Sequence, residues 1–180
     1  MDLIVFILVN LLGVLICSFL LTLISSEKTN NFIEKIPSLI RCFLVPIYAF
    51  IVLALCEAVL RFATEGLSIF WSNQDGEFNI LITGYILIPL IGAYGLAWGS
   101  YLMAPYYKVN TVILIGGAYM LYMMNVFLIG GFASDVIVER ITQSNEVSLF
   151  SSLLITSFTA LGVWLGVRSA KNNSFWAFMN

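Results

Sequence analysis

Apolar residues in this chain neither alternate nor recur every third or fourth place. They run on without interruption, and most charged residues fall between the runs. A helix of about 20 apolar residues is enough to cross a hydrocarbon core about 30 Å thick. Five stretches qualify: Leu3–Ile24, Leu39–Leu60, Ile80–Ala104, Thr111–Ala133 and Leu149–Val167. Continuous runs point to helices, because strands of a membrane barrel alternate apolar and polar residues in segments of about ten. The pattern predicts an all-α fold, a polytopic transmembrane helical bundle of five spans forming a single domain over 1–180. Only Asp2 precedes the first run, with no basic segment before it and no small-residue cleavage site before Glu27. That run is therefore expected to stay as a span and not to be removed as a leader.

The polar segments set the orientation, since Lys and Arg concentrate on the cytoplasmic side of a membrane. Lys28, Lys35, Arg41, Lys108, Arg168 and Lys171 fall on one set of alternate segments, and Arg61 and Arg140 on the other. The N-terminus is thereby expected outside and the C-terminus in the cytoplasm, which requires an odd number of spans. A plasma or bacterial inner membrane is favoured over an organelle membrane. The longest connection, Phe62–Asn79, carries Leu67, Ile69, Phe70 and Trp71 before a polar turn, a pattern suited to an interfacial helix or a re-entrant hairpin. The aromatic tail Ser174–Asn180 follows a basic segment and suits the inner interface or a partner.

Composition agrees with this placement and narrows the chemistry. The chain is 61% hydrophobic and 10% charged, against about 45–50% apolar and about 25% charged in a soluble domain. A net charge of −2 without a basic patch gives no reason to expect a nucleic-acid partner. With no histidine, His-ligated haem, imidazole metal sites and Ser-His or Cys-His catalytic pairs are excluded. Cys17, Cys42 and Cys56 each sit in an apolar run and read as buried thiols. Cys42 and Cys56 are separated by roughly 21 Å of helix, too far to bridge. Phosphate-binding glycine loops, paired membrane aspartates and metal-ligand clusters are missing from the sequence, so no cofactor, metal or enzymatic activity is expected.

A few placed groups carry what functional signal there is. Glu57 and Arg61 form an i,i+4 pair near the outer end of the second span, with the acid on the favourable N-terminal side. They read either as a structural ion pair or as an ion-path or partner-contact element. Asn125 is a lone amide deep in the fourth span, placed to bridge helices or to line such a path. Pro89 is expected to kink the third span and free a carbonyl near its middle. Two GxxxG patterns, Gly95 to Gly99 and Gly162 to Gly166, mark faces where helix backbones can approach closely, within the bundle or against another subunit. Leu90–Leu96 echoes Leu114–Leu121, although chance matches of this kind are common in so apolar a chain.

The expectation is a non-catalytic multi-pass membrane subunit, with the lipid bilayer and other membrane-protein subunits as partners. One alternative is a small transporter or channel component with a proton or cation path near Glu57 and Arg61. Another is an immunity-type protein that blocks a membrane-active toxin through its exposed loops.

Overall fold

The computed structural model describes residues 3–68, 83–129 and 145–172, with side chains for all of these except 3–7, 9, 64–68, 83, 125–129 and 145–152. Every regular element among the described residues is helical. In chain order they are α1 (Leu3–Ile24), α2 (Glu27–Glu34), α3 (Ser38–Ser68), a π-helical segment (Thr83–Gly92) leading into α4 (Ala93–Met103), α5 (Lys108–Ile129) and α6 (Asn145–Lys171). Among the described residues three helices are long and apolar enough to cross a membrane: Ser38–Ala63, Gly84–Met103 and Leu153–Lys171. A fourth is added if Asn10–Ile24 and Glu27–Glu34, bent by 46° at their junction, count as one broken span. Lys108–Met124 is apolar but shorter. The fold is thus all-helical, with three to four candidate membrane-crossing helices.

Burial shows which helix is central. In the Gly84–Met103 window 78% of residues are buried, against 33% in each of the windows of α3 and α6. Every residue of α4 is buried, packed between α3, α5 and α6. Small side chains let these neighbours come close. A Cβ on Gly95 would lie 3.0 Å from Cys56 Sγ, and one on Gly99 3.1 Å from a Val52 methyl, so this pair faces α3. Gly162 and Gly166 of α6 press on the other side, against Leu90, Ala93 and Ala97. Both GxxxG faces are therefore occupied by contacts within the chain. α1 lies on α3, with Gly13 against Ala63 and Leu60.

The third apolar run is not uniformly α-helical. Pro89 is buried within the π-helical segment. A proline has no N–H, and its ring crowds the carbonyl four residues back; the wider π turn relieves that crowding. Gly84–Met103 continues through it as one apolar helix. The helix α3 likewise carries Pro46 in its interior. It also runs past the expected Leu60 boundary to Ser68, so the first part of the Phe62–Asn79 connection prolongs the helix. The rest of that connection, and the tail Ser174–Asn180, lie outside the described residues.

The cysteines are placed unequally. Cys17 and Cys56 are 1% exposed, and the Cys17 thiol donates to the Cys56 carbonyl oxygen at 3.5 Å. This ties α1 to α3 at one point. Cys42 instead lies exposed on the bundle surface, which corrects the expectation of three buried thiols. It precedes the exposed Phe43 on α3, where the run is apolar around most of its circumference and packing needs only part of it.

Candidate functional site

Two polar constellations stand out from the apolar bundle, one at the N-terminal end of α3 and one in its C-terminal half. The first is built around Arg41. Its side chain is 9% exposed and reaches the C-terminal end of α4. Nε donates to the Met103 carbonyl oxygen at 3.1 Å, and Nη2 to those of Leu102 at 3.5 Å and Ala104 at 3.3 Å. The last carbonyls of a helix have no partner in the helix itself and carry the negative end of its dipole. A guanidinium placed there satisfies them and fixes α3 to α4.

The helix α2 closes over the same end. Ser26 caps it, accepting from the Thr29 N–H at 3.4 Å. Ile33 is buried while Phe32 is exposed, so the helix is amphipathic and lies across the end of the bundle. The turn before it is latched to the central helix. Trp98 Nε1 donates to Ser25 Oγ at 2.6 Å, Ser25 Oγ donates to the Leu21 carbonyl at 2.7 Å, and Asn30 Nδ2 donates to the Ser25 carbonyl at 3.3 Å. Trp98 stacks on Tyr101 with ring centroids 5.1 Å apart. The Lys108 ammonium sits 5.1 Å from the centre of the Tyr101 ring. Between these elements lies a cavity of about 380 Å³ whose ionisable lining is Glu34, Arg41 and Lys108. None of these three is in an ion pair among the described residues.

The second constellation is the Glu57–Arg61 pair, roughly 24 Å further along the helix from Arg41. Arg61 Nε and Nη2 both donate to Glu57 Oε1, at 3.0 and 2.9 Å. The pair lies on the outside of the bundle, with the Arg61 side chain 53% and the Glu57 side chain 36% exposed. About two turns before Glu57, Phe50 of α3 meets Tyr119 of α5 edge to face, with centroids 6.4 Å apart.

The other residues singled out from the sequence are dispersed. Pro89 is in the buried π-helical segment, and the four glycines lie on two faces around α4. Asn125 is on α5, with its side chain outside the described residues. Thr159 is fully buried with its hydroxyl unpartnered among the described residues, on the same face of α6 as Gly162 by helical spacing. No group of three or more acidic or cysteine side chains that could hold a metal converges among the described residues. Sequence reasoning used Arg41 and Lys108 only as charges setting orientation. It missed that they converge, because the carbonyl partners of Arg41 are 61–63 positions away. The signal available was basic residues together with Trp98 and Tyr101 at the same end of neighbouring runs.

Comparison with known protein families, curated proteins and solved structures finds no match for this chain.

Proposed function

We propose that this chain is a non-catalytic, multi-pass membrane subunit that assembles with other membrane proteins. In this reading it crosses the bilayer five times, with the N-terminus outside and the C-terminus in the cytoplasm. The supporting observation is the Glu57–Arg61 pair on the outer surface of α3. The midpoint of Ser38–Ala63 falls near residue 51, which puts Glu57 roughly 9 Å from the centre of the span. The hydrocarbon extends about 15 Å either side of its midplane, so in this reading the pair lies at the depth of the lipid chains. Ionised groups within membrane segments are costly and are normally turned towards protein or water. A neighbouring subunit covering this face of α3 would remove the pair from lipid. The GxxxG faces, filled by the chain's own helices, are not available for that contact.

The test is native mass measurement on the chain extracted from its own membrane in a mild detergent. The expected result is a complex with stoichiometric membrane partners, which Glu57→Gln combined with Arg61→Gln disrupts while the chain stays folded. A monodisperse lone chain from the wild type would reject the assembly reading. Abolition of an ion flux by Glu57→Gln would favour the transport alternative.

A further inference from the structure

The cavity beneath α2 is not used by the assembly reading, and its lining has the chemistry of an anion site. An arginine brings five N–H donors in a fixed fork. In Arg41 the one on Nε and the two on Nη2 go to the carbonyls of Leu102, Met103 and Ala104. That leaves the two on Nη1, which have no hydrogen-bond partner among the described residues. The carbonyls orient the guanidinium but do not neutralise it, since a helix C-terminus amounts to about half a negative charge. Lys108 adds a second cation to the lining, resting on the Tyr101 ring. Against these two positive charges the lining offers one carboxylate, Glu34, so two minus one leaves a net charge of +1. Asn30 and Ser25 supply neutral polar groups.

We propose that this cavity holds the phosphate group of an anionic glycerophospholipid. The Arg41 Nη1 donors and the Lys108 ammonium engage the phosphate oxygens, while Glu34 and Asn30 meet hydroxyls of the headgroup. A phosphodiester carries one negative charge, opposite in sign to the side-chain excess of the site. A hydrogen bond from a charged guanidinium N–H to a phosphate oxygen is short and strong. Basic pockets between membrane helices are a recurrent form of headgroup site. The choice of a lipid over a soluble phosphate ester rests on the proposed topology, in which the Arg41 end of the bundle lies at the cytoplasmic headgroup level.

The test uses the full chain, delipidated in detergent, with thermal unfolding followed during titration with phosphatidylglycerol, phosphatidylcholine or glycerol 3-phosphate. Phosphatidylglycerol is expected to raise the melting temperature at concentrations where phosphatidylcholine does not. Lys108→Gln should move the midpoint of that titration roughly five-fold higher, each variant being compared with its own lipid-free value. Arg41→Gln should remove the preference for the anionic lipid, and Lys108→Gln carries the test if that protein fails to fold. Lys28→Gln, the same charge change outside the cavity, should leave the midpoint in place. Equal stabilisation by both lipids, or an equal effect of Lys28→Gln and Lys108→Gln, would overturn the site. Glycerol 3-phosphate acting at the same midpoint as phosphatidylglycerol would overturn the lipid as its ligand.

Discussion

Gly162 and Gly117 are both helical glycines in apolar runs, yet they are surrounded very differently. A Cβ on Gly162 would strike the Leu90 carbonyl oxygen, a backbone atom that cannot turn away, and would crowd Ala93; one on Gly117 meets nothing within 4 Å. Gly162→Ala is therefore expected to destabilise the bundle by about 1–3 kcal/mol through overpacking. Gly117→Ala should be neutral or stabilising by up to about 1 kcal/mol, because alanine is the better helix former. Thermal unfolding in detergent separates the two, and equal effects would mean that α6 does not approach the π-helical segment as closely as described. From the sequence, Gly162 and Gly166 were recognisable as points of close approach, but the atoms opposite them were not. The same limit applied to Cys17 and Cys56, which are 39 positions apart and meet across a helix interface. Arg41 was visible as a charge at the edge of a run, whereas its burial against the end of α4 depends on how two helices are turned towards each other.

At the scale of elements, hydropathy located the long helices well and their packing poorly. Runs that are apolar around the whole circumference carry no marked face, so neither their rotation nor their neighbours can be read from them. The burial of α4 by α3, α5 and α6 was therefore not legible, and neither was the π-helical accommodation of Pro89. The short helix α2 is different, with Ser26 as its cap and a buried Ile33 beside an exposed Phe32. It depends on the latch from Trp98 to Ser25. Trp98→Phe keeps an aromatic ring and removes the donor, at an expected cost of about 1 kcal/mol. Amide hydrogen exchange should then speed up over Glu27–Glu34 while that of Ala93–Met103 stays slow. Faster exchange along α4 itself would show that Trp98 supports the central helix and not the latch.

For the molecule as a whole, the described helices pack around a buried α4, with one polar constellation at the start of α3 and another in its C-terminal half. One is a cavity with an excess of positive charge and the other an ion pair on the outer surface. The assembly reading and the lipid site both depend on the bundle lying in a bilayer with its Arg41 end at the cytoplasmic face. The proposed placement rests on six basic residues on one set of alternating segments and two on the other, and on the odd number of crossings in the five-span reading. Topology reporters fused separately to the two chain ends in the intact cell test it directly. The account predicts that the N-terminal reporter is active only outside and the C-terminal reporter only in the cytoplasm; both ends in one compartment would contradict it.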